Sequence, residues 1–288
     1  MSATNDAGSN EPAKKQPSNL LMRVATAAVA APLILLLLYL GPAWAWLLFI
    51  STATVIGASE FYGMTHAGDR VAQIVGIAMT VGVLELVYFR GFDAKTLLAL
   101  ILLLPIAAIL LGLARLGDMK TAAFRLTAGA FGPLYLGAGM STLALLKKDG
   151  GADGPGFVVL TLMLSWLSDT GAYFAGRFLG RHKLYEAVSP KKTVEGAIGG
   201  LFAAVGGALL GSFFYLRSLP IVDGVILGIV AGGLGQLGDL GESLLKRSTG
   251  VKDSGGIVPG HGGILDRVDA LLVTASLTYL YVVFFRLP

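Results

Sequence analysis

Nine long apolar runs leave this chain few ways to fold. They lie at 20–40, 43–61, 71–88, 96–114, 124–146, 156–179, 194–216, 221–245 and 266–286. A helix needs about 20 mainly apolar residues to cross a bilayer. The runs are continuous rather than alternating, which favours helices over a β-barrel. Only 14% of residues are charged and the mean hydropathy is +0.73, whereas soluble chains carry about 25% charged residues. The expected fold class is therefore all-α, a polytopic transmembrane helical protein of nine spans. Residues 20–288 form one integral-membrane domain, with N-terminal spans at 20–146 and the polar-loop-bearing spans at 156–286. Residues 1–19, rich in Ser, Asn, Pro and Lys, read as a disordered tail. Forty glycines suit close helix packing in lipid. The absence of Cys excludes disulfides, thiolate metal sites and cysteine nucleophiles.

Nine spans put the N-terminus and the loops after even-numbered spans on one face. Sixteen of the 22 Lys and Arg fall there, including Arg115, Lys120, Arg181 and Lys183. Positive residues stay cytoplasmic, so that face, with the N-terminus, is expected inside.

In a chain so poor in charge, clusters of charge carry information. The densest runs from Asp239 through Glu242, Ser243, Lys246, Arg247, Lys252 and Asp253 to His261, Gly262, Gly263, Asp266, Arg267 and Asp269. Six glycines within 250–263 let backbone N–H groups approach phosphate oxygens. Lys246, Arg247, Lys252 and Arg267 add the usual phosphate partners. Asp266 and Asp269, three apart, share a helix face and suit a hard cation such as Mg²⁺. Asp239, Glu242, Ser243 and Lys246 fall on one stripe of the eighth helix. Each piece has a plainer reading. Asp266 could cap a helix, Lys252 and Arg267 could meet lipid headgroups, and His261 could donate to a phosphate or merely close a turn.

A second cluster starts inside the sixth span. Asp169, Tyr173 and Arg177 share a face at steps of four. An acid at membrane depth is costly and usually functional; the plainer reading makes Asp169 a structural partner of Arg177 or of a base on another helix. The loop beyond ends in Ser189-Pro190-Lys191-Lys192-Thr193, where two lysines at a helix start form an anion cradle. The alternative makes Thr193 only an N-cap and the lysines topology signals. Glu60 and Glu85 receive no role; Tyr62, Trp44 and Trp46 read as interfacial anchors.

The run Ser243–Asp269 closely resembles the signature of the phosphatidate cytidylyltransferase, or CDP-diacylglycerol synthase, family. The stretches 168–173, 189–196 and 236–242 look like further elements of it, while Val258 stands where the family usually has a larger apolar residue. The resemblance implies that CTP and phosphatidic acid give CDP-diacylglycerol and pyrophosphate. It implies Mg²⁺ held by Asp266, Asp239 and Asp269, with a second cation, K⁺ or Mg²⁺, beside it. Lys252 and Asp169 would join these three acids in catalysis. Ser189, Lys191, Lys192, Thr193, Ser243, Lys246, Arg247, His261, Gly262, Gly263 and Arg267 would bind substrates. The implied protein is a homodimer of the bacterial inner membrane, active toward the cytoplasm, with no nucleic-acid partner. A transporter or flippase is the rival reading, but its acids should lie near the midplane in related halves.

Overall fold

A computed structural model describes residues 19–257 and 262–286. The tail at 1–18 and His261 lie outside the described residues. Among the described residues, nine helices of span-like length follow one another: α1 Asn19–Leu40, α2 Ala43–Thr65, α3 Arg70–Arg90, α4 Ala94–Ala114, α5 Met119–Asp149, α6 Gly154–Leu179, α7 Val194–Tyr215, α8 Ile221–Ser248 and α9 Leu265–Phe285. The last eight are long and apolar enough to cross a bilayer, and the chain is an integral membrane protein. Helices run through Pro32 and Pro105. A π-turn at Pro133–Ala138 interrupts α5, and another, Gly211–Tyr215, closes α7.

Contacts between residues distant in sequence sort the helix ends into two faces. On one, Asp69 before α3 meets Arg115 after α4 and Arg125 of α5. Lys192 before α7 meets Asp239 of α8. On the other, Lys147 donates to the carbonyls of Leu37 and Gly41, Lys148 to that of Tyr88, and Arg286 to that of Ser218. The alternation required by nine spans is thus met.

Two features depart from the expectation. The loop between α6 and α7 folds into a hairpin, β1 Lys183–Tyr185 antiparallel to β2 Ser189–Thr193. Strands of three and five residues without apolar alternation carry no readable period. Trp46 and Tyr62, read as interfacial anchors, are buried core residues, and Trp46 donates to the Leu143 carbonyl at 3.0 Å. Trp44 is 67% exposed at the start of α2, as expected.

The tightest packing lies between α6 and α7. Gly171, Ala172, Ala175 and Gly176 oppose Gly196, Gly199, Gly200 and Ala203. A Cβ on Gly200 would stand 2.8 Å from the Ser168 carbonyl oxygen and 3.0 Å from Gln236 Nε2. Small residues at four-residue spacing allow such backbone approach in lipid, and the close pair makes one wall of the site.

Candidate active site

Gln236 of α8 pins three helices together. Its Nε2 donates to Ser168 Oγ of α6 at 3.2 Å and to the Ala197 carbonyl of α7 at 3.1 Å. Above this junction opens a cavity of about 370 Å³, lined by Asp169, Tyr173, Arg177, Lys191, Lys192 and Asp239 among others. Arg177 donates to the Tyr173 hydroxyl at 2.8 Å, so Arg177 is not simply the structural partner of Asp169. Asp169 lies within electrostatic reach of Asp239, Lys192 and Arg267. Lys192 Nζ stands 2.6 Å from Asp239 Oδ2, both side chains roughly a quarter exposed. Thr193 does cap α7, accepting from the Gly196 N–H at 3.1 Å, and it also lines the cavity. The hairpin is tied back by Glu195, which accepts from the backbone N–H groups of Arg181 and His182.

The α8–α9 junction is denser. Lys246 Nζ sits 2.7 Å from Glu242 and 2.6 Å from Asp266, all three side chains nearly buried. Asp266 Oδ2 also accepts from the N–H and Oγ of Ser254 at 3.0 and 2.8 Å, and from the Gly263 N–H at 2.9 Å. Gly262 has φ +81°, a conformation glycine adopts freely, and this turn aims the Gly263 N–H at Asp266.

Glu60 of α2 closes the assembly from the far end of the sequence. It is 7% exposed and accepts from the N–H groups of Ile264 at 3.1 Å and Leu265 at 2.8 Å, and from Ser254 Oγ at 3.2 Å. It thereby caps α9 in place of a local N-cap side chain, a favourable position for an anion. A Cβ on Gly255 or Gly263 would collide with its carboxylate, so the glycines here make room for Glu60.

Residues 21–285 match the model of the cytidylyltransferase family. A phosphatidate cytidylyltransferase of Brucella suis is 37% identical over 280 residues, covering 94% of this chain and 96% of the relative. One of Staphylococcus haemolyticus is 46% identical over 126 residues, covering 44% of this chain and 48% of the relative. One of Synechocystis is 45% identical over 125 residues, 43% of this chain and 42% of the relative. The chain belongs to the cytidylyltransferase family.

In this cytidylyltransferase-family chain the site residues read from sequence fall into two groups. Asp169, Lys191, Lys192, Thr193 and Asp239 meet around the polar cavity. Lys246, Gly263 and Asp266 meet at the α8–α9 junction, with Gly262 setting the turn. Asp269 bridges the groups, since its side chain senses Asp239, Glu242 and Asp169. Arg267 is exposed beside them. Arg247 reaches the carbonyls of Val188 in the hairpin and Val251, both at 3.5 Å. Ser189 is half-buried in β2, Ser243 half-buried on α8, and Lys252 exposed in the loop. Asp239 and Glu242, neighbours on one stripe of α8, border different cavities: Asp239 lines the polar cavity and Glu242 an apolar one behind α8. Sequence reasoning missed Glu60 as a member; its lone acid in an apolar span was the available signal.

The donor chemistry fits a hard cation in part. Among the described residues no three His, Asp or Glu side chains are gathered as a ready metal centre. Asp239 has one lysine partner and Asp269 accepts only from the neighbouring Ala270 N–H among the described residues; both keep lone pairs to offer. Asp266 accepts four hydrogen bonds, about the capacity of a carboxylate.

Proposed function

We propose that this protein is a phosphatidate cytidylyltransferase: it transfers CMP from CTP to phosphatidic acid, giving CDP-diacylglycerol and pyrophosphate. The observation that carries the reading is the polar cavity itself. Two lysines, an arginine and two aspartates converge there, at one end of membrane-spanning helices, where a soluble nucleotide and a lipid headgroup can meet. The names of the relatives point to the same substrates.

Lys191, Lys192 and Arg177 would hold the triphosphate, with the N-terminus of α7 behind them. Arg267 would face the lipid phosphate. A phosphate oxygen of the lipid attacks the α-phosphorus of CTP, the bond from that phosphorus to the bridging oxygen breaks, and pyrophosphate leaves. The attacking oxygen is already anionic, so positioning and charge neutralisation dominate the chemistry. A bound Mg²⁺ would neutralise phosphate charge during the transfer. Asp239 and Asp269 would hold it, and Asp266 would join them on release of a hydrogen-bond donor. Glu60 and Ser254 position the loop that carries Asp266. The site would face the cytoplasm of a bacterial inner membrane, because most Lys and Arg lie on that face. The homodimer implied by the family resemblance belongs to the same proposal.

Product analysis tests the reading. Purified protein given CTP, phosphatidate and Mg²⁺ should yield pyrophosphate and CDP-diacylglycerol in equal amounts. Release of CDP with a newly phosphorylated lipid would make it a kinase instead.

A further inference from the structure

One amide in the polar cavity is held in a single orientation. Gln236 is half-buried on α8 and lines the cavity. Its Nε2 carries two hydrogens, and both are committed, one to Ser168 Oγ at 3.2 Å and one to the Ala197 carbonyl at 3.1 Å. A carbonyl only accepts, so turning the amide over would set Oε1 against the Ala197 oxygen. The nitrogen end also packs on α7, where a Cβ on Gly200 would stand 3.0 Å from Nε2. Ser168 and Gly200 lie outside the cavity lining, whereas Gln236 belongs to it. The nitrogen end therefore faces the helix junction and the oxygen end faces the cavity. Oε1 has no hydrogen-bond partner among the described residues, yet it is not sealed from solvent.

The cavity is graded along its length. Arg177 lies in the last turn of α6, and Lys191 and Lys192 lie in the strand that leads into α7. Asp239 meets Lys192. Gln236 is three residues further from the C-terminal end of α8, about 4.5 Å deeper among the helices. It sits beside Ala172, Gly196 and Ala197, which also line the cavity. A nucleotide whose outer phosphates reach the three cations, and whose α-phosphorus lies by Asp239, leaves its nucleoside for this inner end. The small residues there give width for a flat ring. An anion would meet only lone pairs at Oε1, whereas a neutral base with an N–H would meet a ready acceptor.

We infer that Gln236 selects the base of the nucleotide, its fixed Oε1 accepting from the 4-amino group of cytosine and opposing the 4-oxygen of uracil. The inference rests on the CMP-transfer reading above and adds the group that tells CTP from UTP. A freely turning amide would serve both bases, offering its oxygen to the amine of one and its nitrogen to the carbonyl of the other. Gln236 cannot turn without giving up both bonds from Nε2 and facing the Ala197 oxygen. Uracil would thus leave Oε1 unpaired and press lone pairs against lone pairs, and a site built around a substrate N–H discriminates strongly against an analogue that lacks it.

The test is a ratio, because a loss of folded protein lowers turnover with both nucleotides alike. Wild type should favour CTP over UTP in kcat/KM by about thirtyfold or more. Gln236→Met and Gln236→Glu both lose the structural bonds from Nε2, but only the glutamate keeps acceptor oxygens. Gln236→Met should bring the ratio to within about threefold of unity, and Gln236→Glu should hold it at or above the wild-type value. A wild-type ratio in Gln236→Met, or equal losses of preference in both variants, overturns the inference and leaves Gln236 a pin between helices. Displacement of radiolabelled CTP from the full-length wild-type protein, in Mg²⁺ and without lipid, needs neither variant nor turnover. The triphosphate of 2-pyrimidinone riboside, which has hydrogen at position 4, should bind about tenfold more weakly than CTP and more tightly than UTP. Equal displacement by all three nucleotides overturns the inference. The ranked order in a protein that makes no CDP-lipid would sink the reaction assignment and leave the base selection standing.

Discussion

Asp69 and Asp239 are both aspartates paired with a cation near the same membrane face, yet their surroundings differ in kind. Asp69 accepts from Arg115 and Arg125 at 3.1 and 2.7 Å and from the Ala72 N–H at 3.1 Å, as N-cap of α3. The cavity beside its partners is about 20 Å³, room for a single water. Asp239 has one lysine at 2.6 Å and faces about 370 Å³. The Asp69 network fastens one loop to another and has spent its hydrogen-bonding capacity. The Asp239 pair is incomplete by comparison and borders a space large enough for a substrate. In a membrane protein, then, a charge cluster alone does not mark a site; unspent capacity beside an open volume does.

The sharpest way to break this comparison is to neutralise both acids. Asp239→Asn should lower CMP transfer by about a hundredfold or more, the scale of losing charge stabilisation at a reacting phosphate, while the protein still inserts and purifies normally. Asp69→Asn should leave kcat within about threefold. Equal losses of turnover in the two variants would show that the difference between the regions is not functional.

Glu60 sharpens the same contrast, because it lies in the N-terminal half but serves the C-terminal site. Glu60→Ala strips the cap from α9 and one partner from Ser254, which also holds Asp266. Turnover should fall about 10–100-fold, the usual effect of losing an orienting partner. Amide hydrogen exchange at Ile264 and Leu265 should speed up, and Glu60→Gln, which retains an acceptor oxygen, should recover part of both. Unchanged exchange would remove Glu60 from the positioning role.

What could be read in advance follows from what leaves a local trace. Hydropathy marks every span, because each apolar run must be long enough to cross lipid whatever it packs against. Asp239, Lys246 and Asp266 stand out since charges are rare in this chain. Glu60 does not, because its partners lie 194 to 205 residues away and two of them are backbone N–H groups, which no side-chain pattern records. Trp46 and Tyr62 look amphipathic in sequence but are buried by neighbours from α5 and α3. Asp239 and Glu242, three apart, differ by about 60° around the helix, enough to put them in different cavities. The apolar cavity is a property of how α5, α8 and α9 fail to fill the space between them, and no residue type announces it.

The smallest expected effect concerns Asp69 alone. Burial would raise its carboxyl pKa, but hydrogen bonds from Arg115, the Ala72 N–H and Arg125 outweigh it and hold the value at about 2, against an ordinary 3.8. A carboxyl whose pKa is lower in the folded state binds its proton more tightly when unfolded. Its stabilising contribution is full above the ordinary carboxylate range and fades as pH falls from about 4 to about 2. In detergent, wild type should therefore melt a few degrees above Asp69→Asn at pH 6, and the gap should shrink steadily below pH 4. No such window belongs to a carboxylate whose pairing adds nothing to folding, so a gap that is absent at pH 6, or constant down to pH 2.5, would mean that the Asp69 network does not fasten the loops as its geometry suggests.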